Sequence, residues 1–317
     1  MTGGNPLPDG DAPSPRSHPP DALRRLMFSV AYRMLGSVSD AEDVVQDAVE
    51  RMHTQPREIH SPQAWAVTVT TRLAIDALRS ARRRRERYVG VWLPEPWLVD
   101  EGADPARRVE QDETLSMAFL VVVETLGPVE RAVFLLREVF GYRYAEIGQV
   151  VGRSEVACRQ ILSRARRRIA ERRPGPGVSP AEQERLARRL FAAMQEGDLA
   201  GLEEVLAADV RLAGDGGGVA PARLTPIHGS LAVGRFLLGL MRLVERTGLQ
   251  LHPAWVNGAP GAVVRTGDGA LVSVVALAFA DGRVVEVHNQ LNPSKLAHLG
   301  RVGNLAALIG RGGLSPA

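Results

Sequence analysis

The 317-residue chain contains one cysteine, Cys158, and one lysine, Lys295. A lone cysteine excludes an intrachain disulfide and a cysteine-built zinc centre, and neither a metal nor another cofactor is expected. The other basic side chains among the 39 are all arginine, so arginine at any one position says little about mechanism. Arginine, alanine, glycine and proline are all abundant, which suggests a GC-rich bacterial genome. Long apolar runs are also missing. The longest, residues 274–280 and 117–123, fall far short of the roughly 20 residues a membrane-spanning helix needs. Residues 1–20 are rich in Pro, Gly, Ser and Asp, which reads as a disordered tail rather than a signal peptide. A cytoplasmic protein with no membrane partner is expected.

Hydrophobic residues make up 45% of the chain, enough to build cores, and the length suits two or three domains. The net charge is only +3, but positive charge is concentrated at residues 79–87 and 153–173. Local fields of this kind govern nucleic-acid binding.

Residues 142–173, YRYAEIGQVVGRSEVACRQILSRARRRIAERR, read as two helices joined by a tight turn. The first covers about 144–151 and stops at Gly152, which tolerates a left-handed backbone. Ser154 is placed to cap the second. Wound at about 100° per residue, Cys158, Leu162, Ala165 and Ile169 form one stripe that faces the protein. Arg153, Val156, Gln160, Ser163 and Arg167 lie opposite, with Arg159 and Arg164 at the edges. A recognition helix in a DNA major groove needs base-reading groups at its start, here with Ser154, and cations for phosphates beyond. The alternative is an ordinary solvated helix face.

Upstream, residues 21–35 carry a helical apolar stripe ended by Gly36. Ser39-Asp40-Ala41-Glu42 reads as a capping box opening the next helix. The outer face of that helix is Asp40, Asp43, Gln46, Asp47 and Glu50, either solvated surface or a dock for a basic partner. Ser61-Pro62 opens a third helix that ends in Arg79, Arg82, Arg83 and further arginines, suited to its own dipole and to a phosphate backbone. Trp65 is a stacking platform for an unpaired base or, more simply, a core residue. Between the helical units, YVGVWLPEPWLVDEGADP is broken by prolines and unusually apolar, so its tryptophans are expected to dock.

Taken together, LGSVSDAEDVVQDAVERM, AWAVTVTTRLAIDALRSARRRR and LGPVERAVFLLREVFGYRYAEIGQVVGRS resemble an extracytoplasmic-function (group IV) RNA polymerase sigma factor. The resemblance spans about residues 21–173. It implies that core RNA polymerase and promoter DNA are the partners, that the acidic helix docks on the polymerase clamp helices, and that residues 54–85 read the minus-ten element. Trp65, Arg72, Arg79, Arg82 and Arg83 are the candidates there; many such factors carry Asn where this chain has Arg72. The helix-turn-helix would read the minus-thirty-five element.

After Pro174-Gly175-Pro176-Gly177 the character changes to a helical segment, a strand at 210–214, a glycine loop, a helix over 230–247 and four further strand-like runs joined by hairpin turns. This reads as an α+β cone built on an antiparallel sheet, and it resembles the SnoaL-like, NTF2-like domain fused to a subgroup of these sigma factors. The resemblance rests on the linker motif Trp92, Leu93, Pro94, Glu95, Pro96; on Asp215, Gly216, Gly217, Gly218; and on Asn292, Pro293, Lys295, Leu296. It implies an intramolecular contact of this domain with the sigma core and linker, and no dedicated anti-sigma protein. Val219 stands where the subgroup commonly has lysine.

The expected fold is multidomain: an all-α domain at 21–88, a linker at 89–110, an all-α helix-turn-helix domain at 111–173, and an α+β cone at 179–317 after a linker at 174–178. Asp209, Asp215, His228, His252 and His288 are the acid–base candidates in the cone. None has a second carboxylate or nucleophile at a readable spacing, so no catalytic residue is assigned. Two readings remain beside the sigma factor: a DNA-binding regulator acting without polymerase, and a cyclase- or isomerase-like enzyme with a DNA-binding appendage.

Overall fold

The computed structural model describes residues 20–55, 59–85, 88–98, 115–171 and 178–311; the side chains of residues 81–85 and 311 are outside that description. The expected tail, the proline-glycine linker at 174–177 and most of the linker beyond residue 98 therefore lie outside the described residues.

Helix α1 (Asp21–Leu35) ends at Gly36, the stop expected from the sequence, which takes a left-handed φ of 65°. Helix α2 (Val38–Thr54) starts earlier than the capping-box reading placed it. Its cap is Ser37, which accepts from the Asp40 amide, and not Ser39. The reason is a second acceptor from far along the chain: the Glu95 carboxylate takes the amides of Val38 and Ser39 at 2.7 and 3.2 Å. Helix α3 runs over Pro62–Arg85. Four more helices follow, α4 (Met117–Val123), α5 (Pro128–Glu138), α6 (Tyr144–Val151) and α7 (Glu155–Ala170).

The two helical units share one core. Leu35, Val44, Ile75 and Leu78 from the first pack in the same cluster as Leu120, Leu135, Ile147 and Leu162 from the second. A smaller cluster of Leu23, Met27, Val45 and Ala66 completes the first unit.

The cone comprises α8 (Pro180–Glu196), α9 (Leu199–Val205), β1 (Leu206–Asp215), β2 (Ile227–His228), α10 (Ser230–Thr247), β3 (Gln250–Val256), β4 (Ala259–Arg265), β5 (Leu271–Ala280), β6 (Arg283–Gln290), α11 (Pro293–Leu296), a 3-10 turn (Ala297–Leu299) and α12 (Leu305–Arg311). The strand order is β2-β1-β6-β5-β4-β3. The sheet is mixed, which corrects the antiparallel expectation: β1 pairs with β6 in parallel. The β3–β6 meander brings the last strand back beside the first, a pairing too distant in sequence for local patterns to reveal. Two hairpins turn at Asn257-Gly258 and Asp281-Gly282, where all four residues have positive φ, as right-twisted two-residue hairpins require. The first turn thus begins one residue before the expected 258–261.

Alternation along the strands gives the sheet two apolar faces. One, with Leu212, Leu277 and Val287, packs on Leu190 of α8 and Leu237 of α10. The other, with Val263, Val274 and Ala276, packs on Met117 of α4 and Leu296 of α11. The cone therefore sits directly on the second helical unit.

Candidate nucleic-acid interface and linker clasp

The helix-turn-helix is built by local rules. Gly152 adopts φ 66°, and Ser154 caps α7 by accepting from the Ala157 amide. A side chain at Gly148 would place its Cβ 2.6 Å from the Arg153 carbonyl oxygen, so only glycine lets α6 approach the turn. Cys158, Leu162, Ala165 and Ile169 are the buried stripe of α7. Arg153, Ser154, Val156, Arg159, Gln160, Ser163, Arg164 and Arg167 are all exposed. Arg166 and Arg168 bond back to Glu138 and Glu130 of α5, each at 2.8 Å. Arg159 pairs with Glu155 and lies over the Tyr144 ring. The outward face keeps Arg153, Gln160, Arg164 and Arg167, none of which holds an acid among the described residues.

On α2, Asp43, Gln46, Asp47 and Glu50 are exposed and Asp40 is partly so, while Val44, Val45 and Ala48 face inward. The α3 candidates fare differently. Trp65 is half-buried against the cluster around Met27 and Ala66, so it is a packing residue here and not a free stacking platform. Arg72 is exposed but its guanidinium is engaged: its Nε donates to the Val150 carbonyl at 3.0 Å and its terminal nitrogen to the Gln149 carbonyl at 2.7 Å. Those carbonyls end α6, where a cation complements the helix dipole. Arg79 is exposed and pairs with Asp76. The side chains of Arg82 and Arg83 lie outside the described residues.

The three cone and linker motifs meet in a single clasp. Asp215, fully buried at the end of β1, accepts from the Leu93 amide at 2.8 Å, from Lys295 Nζ at 2.7 Å and from the Tyr88 hydroxyl. Lys295 also donates to the Leu93 carbonyl at 2.6 Å and stands 4.0 Å from the Trp92 ring centre. Gln290 Nε2 donates to the carbonyls of Leu93 and Pro94. Asn292 caps α11 through the Ser294 amide and donates to the Tyr88 hydroxyl, while Pro293 opens that helix and Leu296 is buried beneath it. Gly217, at φ 61°, admits the Asn292 carboxamide where a Cβ would collide with it, and a Cβ at Gly216 would strike the Ala220 carbonyl. Gly218, at φ 74°, lies against Val89.

The opposite side of the linker is fixed to the first helical unit. Besides the α2 amides, Glu95 accepts from the hydroxyls of Ser37 and Ser39, and its amide donates to the Gly36 carbonyl at 2.8 Å. A carboxylate at a helix N-terminus is electrostatically favoured.

Family models for Sigma-70 region 2 and Sigma-70 region 4 match residues 21–84 and 116–169. The ECF RNA polymerase sigma factor SigJ of Mycobacterium tuberculosis is 39% identical over 291 residues, covering 87% of this chain and 91% of its own length. The chain belongs to the extracytoplasmic-function sigma factors. A probable ECF sigma factor from the same organism, SigI, is 35% identical over 87% of this chain and 92% of its own. The crystal structure of M. tuberculosis SigJ superposes with a TM-score of 0.71 at 37% identity, covering 87% of this chain and 96% of that one. The protein thus directs RNA polymerase to promoters, and its third domain is the SnoaL-like, NTF2-like cone.

Several residues of this sigma factor's clasp carry no signal in the sequence reading. Asn257 is the chief one. From its left-handed turn it exchanges two hydrogen bonds with Trp97, and its Nδ2 donates to the Tyr32 hydroxyl at 2.6 Å and the Leu115 carbonyl at 3.0 Å. One side chain thereby joins the cone, the linker, α1 and the chain entering α4. Burial, then the adjacent Asp215 carboxylate, push the Tyr88 phenol well above its usual range, so it remains a donor. His298 Nε2 lies 2.8 Å from the Pro96 carbonyl.

The acid–base candidates scatter. Asp209, His228 and His252 are exposed, and Asp215 belongs to the clasp. His288 is buried 3.3 Å from Glu286. Burial raises Glu286, but His288 and Arg211 together hold its carboxyl below the usual range. Both residues alternate with Val287 and Asn289, so they point away from the cone's interior.

Proposed function

We propose that the cone governs this sigma factor from within, by gripping the linker between its two promoter readers and so holding them in a closed pair. The observation that carries the reading is the clasp: Asp215, Gln290, Asn257 and Lys295 of the cone hold residues 88–98 on one side, and α1 and α2 hold them on the other. The elements that such factors read lie roughly 25 base pairs apart, about 85 Å at about 3.4 Å each. Two readers that share a core and are tied through Arg72 do not span that distance, so promoter engagement requires them to part.

In this reading the exposed acids of α2 dock core RNA polymerase, α7 reads the upstream element, and α3 reaches the minus-ten element after opening. The units that part are residues 21–88 and 111–173, with 179–317 as the controlling domain. The restraint is internal, so control does not call for a separate anti-sigma protein, and the site of action is the cytoplasm. No catalytic step is assigned to the cone. The cyclase- or isomerase-like alternative is disfavoured because no ionisable side chain lines its cavity among the described residues. A regulator acting without polymerase is disfavoured by the family.

The test is transcription in vitro with core polymerase and full-length protein. Lys295→Met keeps the stem against Trp92 but strands the buried Asp215 carboxylate, a change that costs about 3–5 kcal/mol when a buried ion pair loses one member. It should raise promoter-directed transcription several-fold. Glu95→Gln leaves the cone's own bonds intact and should act in the same direction, more weakly. Transcription at the parent level from both variants would overturn the reading.

A further inference from the structure

The inner face of the sheet, α8 and α10 surround a cavity that opens to solvent at its mouth. Its wall is apolar, with Met194, Leu237, Met241 and Leu277 among the lining side chains, and among the described residues two polar side chains, Ser273 and Asn289, reach it. Asn289 is 8% exposed, and its Oδ1 has no hydrogen-bond partner among the described residues. Buried carbonyl oxygens are nearly always paired, and leaving one unpaired is costly. An orphaned acceptor in an apolar wall asks for a donor brought from outside.

We propose that this cavity binds a small neutral lipophilic molecule carrying one hydroxyl, which donates to Asn289, and that its occupancy is passed to the linker through β6. A charged ligand is excluded because the wall offers nothing to offset desolvation. Water alone is a poor occupant: two polar side chains can hold one water, and the apolar remainder of the wall offers further waters no partner.

The route outward follows from strand alternation. Asn289 faces the cavity, and Gln290, the next residue, donates to the carbonyls of Leu93 and Pro94 on the other side. Leu291 again lines the cavity while its amide donates to the Asp215 carbonyl. Asn292 then caps the helix that carries Lys295. A ligand that shifts Asn289 therefore moves the peptide units that hold the clasp. This second half rests on the clasp being the control point; binding itself does not.

Decan-1-ol, its methyl ether and decanoate probe the site on the full-length protein, by calorimetry and by hydrogen exchange over residues 88–98. The alcohol should bind saturably, the ether about tenfold more weakly for want of one neutral hydrogen bond, and the carboxylate not at all. Asn289→Leu should abolish the alcohol–ether difference; because the oxygen is unpaired, this variant removes no internal bond and should melt at or above the parent temperature. Absence of saturable binding by any probe, or equal affinity for alcohol and ether, overturns the site. Binding that leaves exchange at residues 88–98 unchanged overturns the coupling. If binding and exchange behave as expected while Lys295→Met leaves transcription unaltered, the control reading fails and the ligand site stands.

Discussion

Helices α3 and α7 bring similar chemistry to opposite situations. Each is amphipathic, with arginines on its outward side. The outer face of α7 is open from Arg153 to Arg167, and its surplus arginines are tied to α5 so that they do not crowd it. On α3, Arg72 is already satisfied by the last carbonyls of α6. The cation that would meet DNA from one reader caps a helix of the other. Availability to DNA is thus set by what a helix packs against, and the composition of the helix does not report it.

The acidic face of α2 belongs with α7, since it is open in the same state in which α3 is engaged. If that face docks polymerase and α3 reads the minus-ten element, as proposed, the closed factor meets polymerase first. The double variant Asp43→Arg, Asp47→Arg should sharpen this contrast with the largest effect. Like charges set against a basic docking surface cost several kcal/mol, so affinity for core polymerase should fall more than about a hundredfold. Thermal unfolding should be unchanged, because both side chains are solvated. Normal polymerase binding would return that face to ordinary surface.

The next effect tests α7 as the ready reader. Gln160→Ala should weaken binding to a duplex carrying the upstream element by about 1–3 kcal/mol and relax preference at one base position. Arg167→Ala should instead weaken binding to all sequences and lower the salt slope by about one. If Gln160→Ala leaves preference untouched, α7 is a phosphate-binding helix without base readout.

What could be read beforehand follows the range of the forces involved. The helix-turn-helix was legible residue by residue, because its signals — helical period, a left-handed glycine, a serine cap — act within a few positions. The three clasp motifs were legible as candidates through resemblance, but their pairing was not: Lys295 to Asp215 and Gln290 to Leu93 are contacts across 80 and 197 residues. Asn257 was hidden behind its own turn, since an Asn-Gly pair at a hairpin already has a local explanation. The merged core was hidden for another reason. Helix α3 is buried on more of its circumference than its apolar residues suggest, including Thr70 and Thr71, both 0% exposed. Threonines do not register as an apolar stripe, so the second contact of α3 left no pattern to find.

That second contact is where the comparison can be broken with the smallest change. Arg72→Ala removes the two bonds to Val150 and Gln149 and leaves the α3 apolar face intact. The side chain is exposed at its tip, so the loss is about 1 kcal/mol once solvent screening is counted. If Arg72 serves to hold the readers together, transcription and affinity for open promoter DNA should rise about fivefold, and the effect should vanish in the Lys295→Met background, where the pair is already released. If Arg72 instead reads the minus-ten element once the pair has opened, the same substitution should lower transcription, and lower it equally in both backgrounds. The two roles are not exclusive in chemistry, since one guanidinium can leave two carbonyls for a phosphate. They differ in sign, and the double variant separates them: non-additive gain assigns the arginine to closure, additive loss assigns it to DNA.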